Sequence, residues 1–530
     1  MYKPIIGLEI HAELNTKTKM FCDSLNDPDE KHPNVNICPI CLSHPGTLPV
    51  TNMGAVRKVI MTGLALNCNI EKETFFERKN YFYPDSPKGY QISQYQKPFC
   101  YGGWLDIKSE SNEHKTKKIR ITRIHLEEDA GRLYHPTGKD YSLVDYNRAG
   151  VPLMELVTEP DFENGQEVKD FALELQLMWQ YLNVSEANME KGEMRIEVNI
   201  SLTNPDGSWG TKVEVKNINS IKFAADAVDY EIKRQTKLLE AGEKVKQETR
   251  GWDEVKKQSF SQRSKEEAHD YRYFPEPDLP PIHLDDKQIE EIRSAMAELP
   301  QQRRERFKIY GLNNEQIKVF TVFKHLGDYY EHVATELDSS AKDYHLSKGL
   351  KGDYPSEPHL EEKLHALSAN YIITEFPVLM HPVRSLARDK VASLEDLGEA
   401  TSNGMHASGA EVDDLEGFKI SPEAFAELMV LIFHKELSST GAKAVLKEMA
   451  EMGLHPEQIM KEKDLGQVSD AGELRSAIEK IITDNPKAVA DFKAGKEAIL
   501  KFLVGMVMKE TKGRANPQIV EQIIREKLKV

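Results

Sequence analysis

Long apolar runs are missing from this 530-residue chain; none reaches about 18 residues, so no membrane span is expected. Cysteine is scarce as well. Five residues, only Cys38 and Cys41 in a Cys-x-x-Cys spacing, exclude a disulfide scaffold and point to a reducing compartment, the cytoplasm. No signal or transit peptide is expected, because strand alternation begins within a few residues of Met1. Positive charge is short: 70 Lys and Arg against 86 Asp and Glu leave a net charge of −16, which argues against nucleic-acid binding by bulk charge. Neither G-x-x-x-x-G-K-[ST] nor G-x-G-x-x-G occurs, so a nucleotide would have to be held without either common phosphate cradle. No Ser/His/Asp or Cys/His arrangement with a nucleophile elbow is visible, which leaves the chain without an amidase nucleophile.

What is present is alternation. In Ile5–Leu14, Ile6, Leu8 and Ile10 share one side of a strand while Glu9, His11 and Glu13 share the other. The same pattern recurs at Met194–Leu202, where Arg195, Glu197, Asn199 and Ser201 oppose an apolar face, and at Lys212–Lys216, where Lys212, Glu214 and Lys216 oppose Val213 and Val215. A fourth strand ends in adjacent acids, Glu127, Glu128 and Asp129, followed by Gly131 and Arg132. On a common sheet these residues would make a polar face of carboxylates, one imidazole and several cations. Clustered carboxylates repel unless a divalent cation neutralises them. Mg²⁺ binds through a few carboxylates and phosphate oxygens, while Arg and Lys hold the remaining phosphate charge. Such a face suits phosphoryl transfer; the competing reading is a solvated outer face.

The fold class is α+β. Up to about Asp286 short alternating runs mix with helical ones, such as Ile221–Gly242, with Gly242 as its stop. Beyond about Gln288 helical spacing takes over, with Ser421 and Pro422 as N-cap and first residue of one helix. Positions 399–419, aperiodic and rich in small and acidic residues, read as a linker. Three domains follow: 1–292, 293–405 and 406–530. The last 44 residues, from Lys487, hold ten Lys or Arg against five Asp or Glu, a basic end on an acidic chain that suits phosphate contacts or a solvated helical surface.

Two aromatic stretches and one cysteine group stand outside this pattern. Lys79–Tyr95 gathers four Tyr and Phe82 around Pro84-Asp85-Ser86-Pro87; its rings suit stacking on a base or ribose, or bracing a loop, and Lys88 could meet a phosphate. Asp270–Pro281 is similar, with Arg272 between Tyr271 and Tyr273. Cys38-x-x-Cys41 is half of a zinc-ribbon pattern, with Cys22 as a third thiol within reach; His32 or Asp23 could be a fourth ligand, the alternative being three reduced thiols. Cys68 and Cys100 read as ordinary buried residues.

The strings IGLEIHAEL, CPICLSHPGTLPVTN, RKNYFYPDSPKGYQISQY, ITRIHLEEDAGR, SLVDYNRAGVPLMELVTEPD, GTKVEVKNINS and DYRYFPEPDLP, in that order, resemble the B subunits (GatB) of bacterial aspartyl/glutamyl-tRNA(Asn/Gln) amidotransferases. The likeness is dense over residues 1 to about 285 and returns near the C-terminus. It implies a catalytic cradle domain whose antiparallel sheet is like that of glutamine synthetase and guanido kinases, a helical domain and a tRNA-binding tail. It implies a heterotrimeric ligase in which this component uses Mg-ATP to activate the side-chain carboxylate of mischarged Glu-tRNA(Gln) or Asp-tRNA(Asn). Ammonia for the amide would come through a channel from a glutaminase, the A subunit, with a small C subunit tying the two together. Carried over to this chain, the resemblance implies Glu9, His11, Glu127, Glu128, Glu197 and Glu214 at the catalytic site, with His11 and Glu127 or Glu128 on Mg²⁺. Lys88, Arg195 and Lys216 would then contact phosphate. Ser24 stands where many members carry a second cysteine, which bears on a structural Zn²⁺ at Cys22, Cys38 and Cys41. A tRNA-binding scaffold without catalysis and a ligase acting on free amino acids are the rival readings.

Overall fold

The alternation at the N-terminus becomes a ten-residue strand, β1 (Pro4–Glu13), in which Ile6, Leu8, Ile10 and Ala12 are buried. The computed structural model describes residues 2–108, 116–264, 271–349, 360–380, 417–463, 465, 471–493, 496–511, 515 and 517–528. They divide into two compact units, one ending at Gln302 and the other beginning at Arg303.

In the first unit β1 is followed by α1 (Met53–Ala65), β2 (Asn69–Ile70), β3 (Glu73–Thr74), β4 (Glu77–Asn80) and β5 (Tyr90–Ser93). Next come β6 (Cys100–Lys108), β7 (Thr116–Glu128), β8 (Arg132–Tyr134), β9 (Leu143–Asp145), β10 (Pro152–Thr158) and α2 (Gly165–Tyr181). The unit continues through β11 (Met194–Leu202), β12 (Val213–Lys216), α3 (Ile221–Glu240), β13 (Glu248–Asp253), β14 (Gln258–Ser264), β15 (Phe274–Pro275), β16 (Ile282–His283) and α4 (Asp286–Ser294). Nine strands form one sheet in the order β14-β13-β12-β11-β1-β10-β7-β6-β2. The expectation of an antiparallel sheet holds for its other pairs but not for β12–β13, which run parallel. The reason is α3: a helix between two strands returns the chain to start the next strand in the same direction.

The apolar sides of β1, β7, β10 and β11 meet α1, α2 and α3 in one core that includes Ile10, Ile124, Leu156, Val198, Phe171, Trp179 and Val228. Helix ends are set locally. Ser220 Oγ accepts from Phe223 N at the start of α3, and after its C-cap Ala241 comes Gly242 at φ +75°, a left-handed turn that glycine enters without a Cβ clash. With helices on one face, the polar residues of the same strands occupy the other.

The second unit is helical: α5 (Pro300–Phe307, whose first residues belong to the first unit), α6 (Asn314–Val322), α7 (Lys324–Ser347), α8 (Leu360–Met380), α9 (Pro422–Phe433), α10 (Ser439–Met452), α11 (Pro456–Lys463), α12 (Ala471–Asp484), α13 (Pro486–Lys493), α14 (Ala498–Glu510) and α15 (Pro517–Leu528). Ser421 caps α9, its side chain accepting from Ala424 N, and Pro422 is the first helical residue. Helices α9 to α11 share a core with α6 to α8 through Phe320, Tyr330, Phe376, Phe425 and Met429, whereas α12 to α15 close around Ile478, Phe492, Leu503 and Ile524. Of the linker at 399–419, positions 399–416 lie outside the described residues. Among the described residues no helix is long and apolar enough to cross a membrane.

Candidate active site

Register brings the site together. On β1, His11 faces Arg195 of β11 on one side and Glu155 of β10 on the other, and Glu155 in turn faces His125 of β7. One row along, Glu9 faces Glu197. In the opposite direction Leu153 faces both Glu13 and Glu127. Residues from four strands distant in sequence therefore stand side by side because period-2 alternation aims them all at one face.

Two groups of three ligating side chains result. His11, Glu127 and Glu155 offer donor atoms that all lie within 4.8 Å of one another, and so do Glu9, Glu197 and Glu214. In the first, His11 Nε2 is 3.4 Å from Glu155 Oε2 and 3.7 Å from Glu127 Oε1. His125 Nε2 is 3.5 Å and 3.7 Å from the same two carboxylates. In the second, Lys216 Nζ lies 2.7 Å from Glu197 Oε2 and 3.4 Å from Glu214 Oε1. Asn199 Nδ2 donates to Glu9 Oε1 at 2.8 Å and Thr249 Oγ1 to Glu214 Oε2 at 3.0 Å.

Burial opposes a charge on His11, but a hydrogen bond and the charge of Glu155, reinforced by Glu127 and Glu197, raise its pKa to about 9. Burial likewise works against ionised Glu155 and Glu127. His125, His11 and Lys79 overcome it and hold Glu155 well below the usual carboxylate range; His125 and Lys79 lower Glu127 in the same way. The field that retains a proton on His11 is one a divalent cation would relieve, displacing that proton as it binds. The all-carboxylate group offers only oxygen, the donor Mg²⁺ prefers, and the other group adds a single nitrogen. Arg123 Nε and Asn199 Oδ1 are buried beside these groups with no hydrogen-bond partner among the described residues, so the polar face has unused capacity where phosphate or a metal-bound oxygen would lie.

Of the residues expected from sequence, Glu9, His11, Glu127, Glu197 and Glu214 meet here, with Lys216 among them. Glu128 does not. Alternation turns it to the opposite side of β7, where it accepts from Lys88 Nζ at 2.6 Å and from Ile92 N at 2.9 Å. Lys88 is thereby committed to Glu128. Arg195 donates through Nη2 to Asp129 Oδ2 at 2.9 Å, and Arg148 stands 3.5 Å from the same oxygen. Burial resists ionised Asp129, but these arginines lower it to about 2, while burial and the Asp129 charge raise Glu13 to about 8. The pair keeps one proton, on Glu13.

Sequence reasoning missed Glu155, His125 and Lys79. Glu155 is the lone acid in the apolar run PLMELVT, and His125 shares a face with Glu127 by i, i+2 spacing; both were findable by asking why a charge interrupts a buried strand. Lys79, on β4, left no such signal.

The sulfurs of Cys22, Cys38 and Cys41 lie within 4.8 Å of one another. Cys38 N donates to Cys41 Sγ at 3.1 Å and Ser24 Oγ is 3.8 Å away. The hydrogen bond from Cys22 lowers Cys41 to about 4 and raises Cys22, so the thiolate resides on Cys41, near fully buried Lys19. Three sulfurs suit a soft ion such as Zn²⁺. The candidate fourth ligands are elsewhere: the His32 ring, 85% exposed, bonds Glu30 Oε1 at 2.8 Å, and Asp23 is exposed. Cys68 and Cys100 are buried.

Residues 4–290 match the family model described as the GatB/GatE catalytic domain, and residues 398–528 that described as the GatB domain. The B subunit of the aspartyl/glutamyl-tRNA(Asn/Gln) amidotransferase of Dehalococcoides mccartyi is 43% identical over 533 residues, covering 99% of each chain. The proteins of that name from Caldicellulosiruptor bescii and Caldanaerobacter subterraneus are 44% and 43% identical over 530 residues, again covering 99% of each chain. On this full-length similarity, the chain belongs to the family of the B subunits of the aspartyl/glutamyl-tRNA(Asn/Gln) amidotransferases.

Proposed function

We propose that the polar face of the nine-stranded sheet phosphorylates the side-chain carboxylate of a mischarged Glu-tRNA(Gln) or Asp-tRNA(Asn) and then amidates it. This chain is the B component of a tRNA-dependent, glutamine-hydrolysing ligase. The observation that carries the reading is the pair of three-ligand groups on one face, flanked by Lys216, Arg195 and Arg123.

A carboxylate does not react with ammonia in water because its oxygen leaves poorly. One oxygen of the substrate carboxylate attacks the γ-phosphorus and ADP departs. Ammonia then attacks the acyl carbon, the C–O bond to phosphate breaks, and the surplus proton of the nitrogen leaves with the phosphate. Bound at the two groups, Mg²⁺ would neutralise the meeting of carboxylate and phosphate. Glu9, Glu197 and Glu214 would hold one ion, and His11, Glu127 and Glu155 the other. Lys216 sits where it can trade Glu197 for a phosphate oxygen, and Arg195, anchored by Asp129, keeps its remaining donors directed at the same face. Holding both reactants here turns an encounter into a positioned reaction, worth up to roughly 7–11 kcal/mol in favourable cases.

The division of labour we infer is catalysis in 1–292, a connecting helical part in 293–405 and tRNA contact in 406–530. Exposed Lys487, Lys493, Lys501 and Lys509 of the last helices support the tRNA assignment. Ammonia would come from a partner glutaminase, the A component, held together with the small C component, in keeping with a sequence in which no Ser/His/Asp or Cys/His arrangement with a nucleophile elbow is visible. A structural Zn²⁺ on Cys22, Cys38 and Cys41 is part of the same reading. In the complex with its A and C subunits, Glu127→Gln is expected to remove ATP-dependent amidation of mischarged tRNA while glutamine hydrolysis continues. Amidation at the normal rate would refute the metal assignment.

A further inference from the structure

Six aromatic rings beside the metal-ligand groups have no role in the chemistry just described, and several face solvent. Phe82 is 85% exposed, Tyr95 57% and Tyr83 50%. Tyr81, Phe82 and Tyr83 lie in the loop between β4 and β5, Tyr95 just after β5, and Tyr271 and Tyr273 just before β15, the strands of one three-stranded sheet. Tyr81 and Tyr83 stack with ring centres 5.8 Å apart, and Tyr95 and Tyr273 stack at 4.8 Å. Tyr271 meets Tyr273 edge-on at 6.2 Å. Lys79 on β4 joins them, its Nζ 5.1 Å from the centre of the Tyr271 ring.

The loop is held rather than loose. Tyr81 N donates to Gly89 O at 3.1 Å, Ser86 N to Tyr83 O at 3.0 Å and Gly131 N to Asp85 O at 2.9 Å. Tyr146 OH donates to Pro84 O at 2.9 Å. Gly89, at φ +71°, admits the Phe82 ring at 3.4 Å from where a Cβ would stand. Rigid, solvent-facing rings forgo burial that would otherwise favour them, and such surfaces mark ligand contacts. The rings also adjoin the reaction centre: Ser93, two residues before Tyr95, donates through Oγ to Glu127 Oε2 at 3.1 Å.

We propose that Tyr81, Phe82 and Tyr83, with Tyr95 and Tyr273, form the platform on which the unpaired 3′-terminal bases of the mischarged tRNA stack, with the esterified amino acid directed past Lys79 to the metal groups. The inference rests on the function proposed above and names the part of the substrate this surface takes. Two stacks and an exposed phenyl ring offer more aromatic surface than the single adenine of ATP would use. They stand open, as a strand entering from outside requires. Stacking is tolerant of base identity, which suits an end that differs little between tRNAs. The reacting carboxylate hangs from the terminal ribose, so these bases must lie close to Glu127 and Glu155.

The test is steady-state amidation by the full chain in complex with its A and C subunits, titrating mischarged tRNA and ATP separately. Phe82→Ala should raise the KM for tRNA about tenfold, and Tyr81→Ala with Tyr83→Ala somewhat more, since one base–ring stack carries an effect of that order. The KM for ATP should stay within about twofold in each variant. Tyr83→Phe should behave as wild type, whereas Phe82→Leu, which keeps apolar area without a π face, should not. An unmoved KM for tRNA, full rescue by leucine, or a rise confined to the KM for ATP would each overturn the proposal, the last by assigning the rings to the nucleotide. The wild-type complex in the same assay separates the two levels. If it phosphorylates the tRNA-borne carboxylate and the variants do not differ, only the platform falls; if it does not phosphorylate, the proposed function falls and takes the platform with it.

Discussion

The two ligand groups on the sheet face differ in how their negative charge is balanced. In the first group the carboxylates of Glu127 and Glu155 are met by two imidazoles, His11 within the group and His125 beside it, with Lys79 close by, and both carboxylates are buried. Glu9, Glu197 and Glu214 are met by one ammonium, Lys216, and are more open to solvent. The first group is neutralised within the protein before any ion arrives. The second depends on a single ammonium, so its affinity for a cation should be more sensitive to that one residue. The lesson is that a shared face does not imply shared electrostatics: burial and the neighbouring strand decide how each carboxylate behaves.

This contrast can be broken by substitution. Glu155→Gln should have the largest effect, because Glu155 touches both His11 and His125 from the middle strand. Amidation should fall roughly a thousandfold, the order seen when one preorganised charged contact to a transition state is lost, and added Mg²⁺ should not restore it. Lys216→Met should act less strongly and in a different variable. With its balancing charge gone, the second group should bind Mg²⁺ more tightly, while a phosphate contact is lost. The Mg²⁺ concentration for half-maximal activity should fall as the KM for ATP rises, by roughly tenfold. Equal rate losses in the two variants, with no change in Mg²⁺ dependence, would mean that the groups act as one.

The smallest effect concerns stability. Glu13 stands at the edge of the first group, its carboxyl raised from 4.5 to about 8. A raised folded-state pKa means the native chain keeps a proton that the unfolded chain has released. Its contribution is therefore fully present below pH 4.5 and is lost as pH rises through about 8. Asp129, lowered to about 2, contributes with the opposite sign, above 3.8, and loses that contribution only in strong acid. Glu13→Gln should remove the alkaline slope. Between pH 5 and pH 9 the wild-type Tm should fall by roughly 5 °C more than that of the variant in thermal denaturation. Parallel curves would show that the pair does not hold its proton as described.

How far the site could be read from the chain follows the same division. The apolar and polar sides of β1, β11 and β12 were legible, because alternation is a property of extended backbone and needs no partner. The helix ends at Gly242, Ser421 and Pro422 were legible for a similar reason: caps and stops satisfy backbone groups within a few residues. Adjacent Glu127 and Glu128 could not be separated by strand pattern alone until β10 fixed which face of β7 meets His11. Glu155 and His125 acquired meaning only once Leu153, Val157 and their neighbours set the register of β10 against β1 and β7. The parallel pairing of β12 with β13 likewise emerged from the α3 crossover.

Local order was thus written in the chain itself: which side of a strand is polar and where a helix begins or ends. Which acids stand together on the polar face, and which is instead paired with Lys88 on the opposite side, was decided by strand order and register. These are non-local quantities set by how the apolar sides pack against α1, α2 and α3, and no stretch of sequence contains them alone.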